Sequence, residues 1–317
     1  MEIQNLQVVD SVEIVILVDN YVDVLLAGSE QVQRPLLAKD GVISTETLIA
    51  EHGLALLITV HVGGEEHSIL LDTGYNRDTV RHNMRILGLK LDTLDAVVLS
   101  HGHMDHTGGL DSVLDNVPAH TKVIVHPIAF SQRHFTLPTG GKVKFPPMPE
   151  VEHLKSLGVD LVKSAGPLKL ANDTVLVTGQ IPRVTSFETG LPGAFMEVEG
   201  ELVTDSVEDD QSLVINLGEK GLVVISGCAH SGIVNSVLYA QKLTGVSRVN
   251  SVIGGFHLTG PAMAPMIEPT IQEMKNLAPE LIVPMHCTGP EAVQRFAQEF
   301  PDSFVRSSVG TRIVLSK

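Results

Sequence analysis

One short segment constrains this chain more than any other. The segment SHGHMDHTGGL, residues 100–110, places four side chains that can bind a metal ion within six positions: His101, His103, Asp105 and His106. The apolar run that leads into it, residues 95–100, predicts a buried strand, and the residues after it favour the start of a helix. We therefore expect the four side chains on a loop at the carboxyl end of a strand, where open α/β sheets place their binding sites.

The spacing of these side chains fits metal binding. Residues i and i+2 of an extended segment point the same way, so His101 and His103 can hold one ion. Asp105 and His106 lie on the following turn and can serve a second ion. Imidazole nitrogen suits zinc, iron, copper or nickel, and a carboxylate adds a harder ligand. Because one short loop supplies too few ligands for two ions, further ligands must come from distant parts of the chain.

The pattern of apolar residues in the rest of the chain predicts hairpins and strand–helix units in each half. Such units indicate two β-sheets with helices on their outer faces. A segment rich in proline and glycine, residues 128–166, predicts an inserted lid within a single domain of residues 1–317. Residues 20–50 are expected to form a long loop with one short helix, and residues 182–211 to be irregular. Predicted strands are 12–18, 54–62, 67–74, 95–100, 122–127, 172–181, 212–217, 222–226, 250–258, 280–287 and 310–316, and the main predicted helices are 76–88, 231–245, 267–277 and 290–300.

Three later strands each end in a histidine: His230, His257 and His286. In such a fold the carboxyl ends of strands gather at one edge, so these histidines are expected near the first segment and are candidate ligands. A structural role is the alternative for each, most of all for His257. Cys228 could bind a metal as thiolate or be a small buried side chain.

Several charged residues are candidates for supporting roles. Asp72 ends a strand and is expected to accept the free N–H of a ligating imidazole, which would fix its orientation; capping of a turn is the alternative. Asp210, beside Asp209, could bridge two ions or belong to a solvated acidic turn. Arg183 is the best candidate for contact with an anionic substrate, although a solvated charge is the simpler interpretation.

The overall composition excludes some functions. With 22 basic and 37 acidic residues the net charge is −15, which disfavours binding to nucleic acid or to anionic membranes. No stretch reaches 18 apolar residues and no signal-peptide pattern opens the chain, so we expect a cytoplasmic protein. The two cysteines are not expected to form a disulfide. The apolar loop at 137–149 could be a lid or could mediate a homodimer.

At these motifs the chain resembles the metallo-β-lactamase superfamily. The matching segments are LDTG (71–74), HGHMDH (101–106) and MHCTG (285–289). The resemblance implies a fold of the α/β class, a four-layer αββα sandwich. It also implies one or two divalent transition metal ions, zinc first with iron or manganese as alternatives, and the ligands His101, His103, Asp105, His106 and His286.

Two further segments, GCAHSGIVN (227–235) and GGFHL (254–258), resemble one branch of this superfamily. That branch includes 7,8-dihydropterin-6-yl-methyl-4-(β-D-ribofuranosyl)aminobenzene-5′-phosphate synthase. The chain departs from the usual superfamily pattern, because EDDQS (208–212) stands where a histidine is expected ahead of the second-half hairpin. We expect His230 to replace that ligand; an incomplete metal site is the alternative.

These observations lead to three functional hypotheses. The first is a metal-dependent enzyme acting on a phosphorylated or ester-type small molecule. It would be a hydrolase in which Asp105 orients a metal-activated water or moves its proton, or a pterin-type transferase in which the metal stabilises a diphosphate leaving group. The second is a di-iron redox protein, which the absence of a flavodoxin-like segment and of a cysteine cluster in the sequence disfavours. The third is a non-catalytic metal-binding module.

Overall fold

The computed structural model describes residues 3–137 and 139–317. Most of its secondary structure lies in two large sheets and seven helices of these described residues. The helices are α1 Thr79–Leu87, α2 Met104–Thr107, α3 Leu110–Leu114, α4 Val151–Ser156, α5 Ile233–Thr244, α6 Ile267–Leu277 and α7 Pro290–Glu299. The strands are β1 Ser11–Val18, β2 Val32–Gln33, β3 Ala38–Lys39, β4 Val42–Ile43, β5 Ala55–Val62, β6 Glu65–Leu71, β7 Leu94–Val98, β8 Lys122–Val125, β9 Arg133–Thr136, β10 Lys142–Lys144, β11 Asp160–Lys163, β12 Leu168–Leu170, β13 Val175–Val177, β14 Ala194–Val198, β15 Glu201–Thr204, β16 Ser212–Asn216, β17 Leu222–Ser226, β18 Val249–Gly255, β19 Leu281–Met285 and β20 Arg312–Ser316.

Two large sheets make up the centre of the fold. The first has eight strands in the order β11-β8-β7-β6-β5-β1-β20-β2, and the second has six in the order β12-β13-β16-β17-β18-β19. Side chains alternate between the two faces of a strand. On β1, Ile14 and Ile16 pack in the core between the sheets, whereas Val15 and Leu17 pack under the outer helices. Leu213 and Val214 on β16 divide in the same way, so both large sheets are apolar on both faces.

Helices cover the outer face of each large sheet. α1, α3 and α4 contribute Val80, Val113 and Leu154 to the core outside the eight-stranded sheet. α5, α6 and α7 pack outside the six-stranded sheet, with Ile271 and Phe296 among the fully buried side chains. The layers run helix, sheet, sheet, helix, which confirms the predicted αββα sandwich.

Parallel strands bring the candidate site together. β6, β7 and β8 run parallel in the first sheet, and β17, β18 and β19 run parallel in the second. Their carboxyl ends lie at one edge of the sandwich. The segment after β7 carries the HGHMDH motif, and the residues after β17, β18 and β19 carry His230, His257 and His286.

The predicted lid, residues 128–166, is divided between two sheets. β9 and β10 pair with β14 and β15 in a separate four-stranded sheet. β11 instead pairs in parallel with β8, so the last part of the segment belongs to the eight-stranded sheet. Phe145, just after β10, has its ring 5.1 Å from the ring of His103. That this region acts as a lid stays a prediction.

Two local predictions were wrong. Residues 20–50 contain no helix in the structure; they hold the two-residue strands β2, β3 and β4. The stretch 182–211 is not irregular throughout, because β14 and β15 form a hairpin within it. Among the described residues, no helix has both the length and the apolar character needed to cross a bilayer.

Candidate metal centre

The HGHMDH loop is folded by its own backbone and by close contacts with neighbouring segments. His103 has extended backbone angles and precedes α2, and its carbonyl accepts a hydrogen bond from the amide of His106 at 3.1 Å. Gly102 lies against another loop so closely that a Cβ there would be 2.3 Å from the carbonyl oxygen of Ala129. Only glycine fits at this position, and its smallness lets the flanking histidines turn into the interior.

A first group of ligand atoms contains His101, His103 and His230. Each offers one ring nitrogen, and these three nitrogens lie within 4.8 Å of one another. His101 Nε2 is 3.0 Å from His103 Nδ1. The ring of His230 is 4.8 Å from that of His101 and 4.9 Å from that of His103. The loop after β17 thus brings a third imidazole to the pair that the sequence spacing predicts.

A second group contains Asp105, His106 and His286. His286 Nε2 lies 3.3 Å from Asp105 Oδ2 and 3.2 Å from His106 Nε2. His106 Nε2 is 3.9 Å from the same carboxylate oxygen. The two groups are adjacent, since the rings of His101 and His106 are 4.3 Å apart.

Several ring nitrogens in these groups and in the neighbouring His257 are buried without a hydrogen-bond partner. Both ring nitrogens of His230 are in this state, as are Nε2 of His103 and Nδ1 of His257. Buried polar atoms in proteins nearly always have a partner, so each exception needs an explanation. A cluster of unpartnered imidazole nitrogens next to a carboxylate is a donor set that fits a transition metal ion such as zinc or iron.

Charge and burial keep most of these groups in the protonation state that binding requires. Burial, and then the charge of the buried Arg133, lowers the pKa of His103 to about 3. Burial also lowers the pKa values of His101 and His230 well below the ordinary value. Burial raises the pKa of Asp105, but His106 and His286 outweigh that effect and the pKa lies below its ordinary value. Neutral imidazoles and an ionised carboxylate are the forms that bind metal ions.

Asp72 and Ser100 orient the first histidines. Asp72 is fully buried and lies 2.6 Å from His106 Nδ1, which leaves His106 Nε2 facing His286. Asp72 also accepts hydrogen bonds from the amide and the hydroxyl of Ser100, both at 2.7 Å. Ser100 Oγ is in turn 2.9 Å from His101 Nδ1. Burial lowers the pKa of His106, but Asp72 and Asp105 outweigh it and raise the pKa to about 9.

Residues at the end of β1 hold His286. Asp19 Oδ1 accepts a hydrogen bond from the His286 amide at 2.8 Å, and Asn20 contacts both the ring and the carbonyl of His286. His52 approaches from the surface, with Nε2 3.4 Å from Asp105 Oδ2 and a side chain that is 63% exposed. Sequence reasoning assigned no role to these three residues, because nothing local links them to a histidine in the last part of the chain.

The remaining candidates lie around the two groups. His257 has its ring 4.2 Å from that of His230. Asp210 accepts a hydrogen bond from the amide of Ser231 at 2.9 Å, and burial raises its pKa to about 6. Arg183 donates hydrogen bonds to backbone carbonyls, including that of His230 at 3.2 Å. Asp210 and Arg183 therefore contact the backbone near His230, and neither belongs to a group of ligand atoms among the described residues.

Sequence reasoning also missed a buried ion cluster at the base of the HGHMDH loop. Arg133, on β9, is only 2% exposed and donates a hydrogen bond to Asp209 at 2.6 Å. The other oxygen of Asp209 accepts a hydrogen bond from the amide of Gly102 at 2.8 Å. A carboxylate oxygen of Asp205 lies 3.4 Å from Arg133 Nε. These residues come from segments that are far apart in the sequence, and the sequence pattern predicts loops in them.

A cavity opens beside the second group. Its volume is about 360 Å³, in the range of small-molecule pockets, and its lining includes His286 and His52. Tyr21, Arg306 and Pro290, the first residue of α7, also line it. A small molecule in this cavity would lie against His286, next to Asp105.

Comparisons with known proteins agree with this architecture. The sequence profile of the metallo-beta-lactamase superfamily matches residues 50–185. The 7,8-dihydropterin-6-methyl-4-(beta-D-ribofuranosyl)-aminobenzene-5'-phosphate synthase of Methanocaldococcus jannaschii is 33% identical over 86% of this chain and 93% of its own. An uncharacterized protein of the same organism is 34% identical over 82% of this chain and 92% of its own.

A solved structure extends the likeness to the whole fold. The crystal structure of Tm1679, described as a metal-dependent hydrolase of the beta-lactamase superfamily, matches with a TM-score of 0.73 and 27% identity. The match covers 96% of this chain and all of that one. From the αββα sandwich, the convergent histidines and the 33% identity to the synthase, we conclude that this chain belongs to the metallo-β-lactamase superfamily.

Proposed function

We propose that the protein is a metal-dependent enzyme that acts on a small phosphorylated molecule. Two metal ions would be held by the two adjacent groups of ligand atoms. His101, His103 and His230 would hold the first ion, and Asp105, His106 and His286 the second. The observation that carries this proposal is the set of buried, unpartnered imidazole nitrogens, above all the two of His230.

The donor set favours zinc, with iron and manganese as alternatives. A divalent ion supplies Lewis acidity, which can activate water or stabilise negative charge on a phosphoryl or leaving-group oxygen. In this proposal the histidines position the ions, and Asp72 fixes the tautomer of His106 so that Nε2 is free to bind.

Asp105 is the residue for proton transfer in this proposal. Its carboxylate is ionised at neutral pH and lies 3.3 Å from Nε2 of His286, a residue that lines the cavity. The side chain of Asp105 is 12% exposed. His52 lies within 3.4 Å of it and reaches solvent. The pair therefore offers a path by which a proton taken up at Asp105 Oδ2 can reach bulk water through the His52 ring.

The cavity beside His286 is the proposed substrate site. Arg306 supplies a positive charge in a chain whose net charge is −15. The start of α7 adds the positive end of a helix dipole, which favours a phosphate group, although Pro290 lacks an N–H and Glu291 places a negative charge in the first turn. Tyr21 provides an aromatic surface for a ring system. Together these features support a substrate that combines an aromatic ring with a phosphate.

The reaction class that we favour is transfer. The similarity to the M. jannaschii synthase extends over most of both chains, which supports a reaction that joins a dihydropterin carrying a methyl diphosphate to a ribofuranosylaminobenzene 5′-phosphate. The alternative is hydrolysis, which the likeness to Tm1679 favours. The two reactions would use the same site and differ in the acceptor.

Chromatography of the reaction products distinguishes these functions. The zinc-loaded protein is incubated with the pterin diphosphate and the aminobenzene phosphate, together and separately, and with a generic phosphodiester. We expect a joined product and released diphosphate only when both substrates are present, and loss of the product in an Asp105→Asn variant. Phosphate ester cleavage with one substrate would identify a hydrolase, and no turnover of any substrate would contradict the proposed enzyme.

A further inference from the structure

Cys228 occupies the space between the two groups of candidate ligands. Its Sγ atom is 3.1 Å from His106 Nε2. Among the described residues it belongs to three separate groups whose ligand atoms all lie within 4.8 Å of one another: with His101 and His106, with His230 and His257, and with His286 and Cys287. One sulfur atom thus faces both the histidines of the first group and those of the second.

We propose that the Cys228 thiolate bridges the two metal ions as a ligand of both. This inference rests on the proposed function, since it assumes that ions bind at the two groups. On binding, the thiol would lose its proton to solvent, and the thiolate would donate one lone pair to each ion. No oxidation or reduction is involved.

The backbone around Cys228 is built to place the sulfur there. Gly227, just after β17, lies so close to the first sheet that a Cβ there would be 2.0 Å from Ser100 Oγ. The carbonyl of Gly227 accepts the amide of Gly255 at 2.9 Å, which ties this loop to the end of β18. Ala229 has a φ of 53°, in the left-handed region, so the chain turns sharply between Cys228 and His230. The turn lets both side chains enter the centre.

A purely structural role explains the surroundings of Cys228 less well. A cysteine that serves as a small apolar side chain packs against aliphatic groups. The sulfur of Cys228 instead faces imidazole nitrogens, and His230 beside it has two buried nitrogens without partners. Cys287 offers a contrast in the same centre, since it belongs to one group of ligand atoms and its Sγ contacts the carbonyl of Cys228 at 3.6 Å.

A bridging thiolate would select the metal. Thiolate is a soft ligand that favours zinc, ferrous iron or cadmium over manganese and magnesium. We therefore expect a preference for a thiophilic divalent ion at both positions, and a much weaker preference when the sulfur is replaced by a carboxylate.

X-ray absorption at the zinc edge of the zinc-loaded protein tests the bridge directly. A thiolate shared by two ions gives about one sulfur neighbour per zinc at roughly 2.3 Å, whereas a thiolate on one ion gives about half a sulfur per zinc. We expect the first result for the unaltered protein and for Cys287→Ser. We expect loss of the sulfur signal, with retained zinc, in Cys228→Asp, where a carboxylate can still bridge.

The outcomes separate this inference from the function on which it rests. Three results would overturn the bridge and leave the metal centre standing: two zinc ions without a sulfur neighbour, about half a sulfur per zinc, or a sulfur signal that disappears only in Cys287→Ser. A protein that binds no zinc would overturn both. Because the first measurement uses the unaltered chain, misfolding of a variant cannot decide the result.

Discussion

Replacement of Asp72 by asparagine tests whether Asp72 fixes the tautomer in which His106 binds a metal ion. Asp72 accepts three hydrogen bonds at 2.6–2.7 Å, from His106 Nδ1 and from the amide and hydroxyl of Ser100. Its φ of 60° is left-handed, a conformation that asparagine tolerates well. The substitution therefore keeps the size and backbone geometry of the side chain while it removes the charge and one acceptor oxygen.

The expected loss follows from the tautomer of His106. If the asparagine oxygen keeps the amide of Ser100, its NH2 group faces His106 Nδ1 and can donate only to the tautomer whose proton is on Nε2. That proton blocks the nitrogen that faces His286. Loss of such a supporting carboxylate lowers metal affinity by roughly 10- to 100-fold, which corresponds to about 1.4–2.8 kcal/mol.

Competition with a chromophoric chelator measures the zinc affinity of this variant. Asp95→Asn is a matched control, because Asp95 also accepts a backbone amide and contacts a histidine, but lies on the surface away from the centre. We expect the control to bind zinc as the unaltered protein does. Equal zinc affinity of Asp72→Asn and the control, with both folded, would refute the role assigned to Asp72.

Three further predictions concern the scaffold. Gly227→Ala places a Cβ 2.0 Å from Ser100 Oγ, so it should lower the free energy of unfolding by about 1–3 kcal/mol. Gly166→Ala is the control, because a Cβ there meets nothing within 4 Å and should leave the stability unchanged. Denaturant unfolding compares the two variants, and equal stability would contradict the close packing at Gly227. Arg133→Met leaves Asp205 and Asp209 buried without their cation and should lower the free energy of unfolding by about 3–5 kcal/mol. The double variant Arg133→Met/Asp209→Asn should recover part of this loss. No recovery would argue against the ion cluster. Burial raises the pKa of Glu188 to about 7, so the folded protein keeps a proton that the unfolded chain loses near pH 4.5. The free energy of unfolding should therefore fall by about 3 kcal/mol through this residue as the pH rises from 4.5 to 7. Glu188→Gln removes that part of the pH dependence, and the same pH dependence in both proteins would contradict it.

The loop residues of the site could be predicted because their pattern is local. His101, His103, Asp105 and His106 lie within six positions after an apolar run, so their proximity follows from the chain itself. His230 and His286 could be anticipated for a second reason. Each follows a strand, and the carboxyl ends of parallel strands must share an edge of the sheet.

Contacts that depend on tertiary packing could not be predicted in this way. Arg133 reaches Asp209 only because β9 pairs with β14 in a small sheet, and a pairing between segments so far apart leaves no period in the sequence. Asp19 accepts a hydrogen bond from the amide of His286, a residue near the other end of the sequence. The hairpin of β14 and β15 was missed for a different reason. Its strands are short and partly exposed, although Gly200 between two β-type runs was a usable turn signal.

The surroundings of Cys228 in the structure favour a role as a ligand, which its place in the sequence does not. In the sequence it is one cysteine near a histidine, and a small buried side chain is the simpler interpretation. In the structure its sulfur lies within 4.8 Å of nitrogens from both ligand groups. The difference arises because the close approach at Gly227 cannot be read from residue types alone.

Metal analysis of the purified protein tests the central claim most directly. The protein is loaded with zinc, freed of excess by gel filtration and analysed by mass spectrometry for metal per chain, beside His103→Ala, His230→Ala and the surface variant His120→Ala. We predict about two zinc ions per chain for the unaltered protein and His120→Ala, and loss of zinc in the other two. About one ion per chain, unaffected by His230→Ala, would contradict the two-group centre.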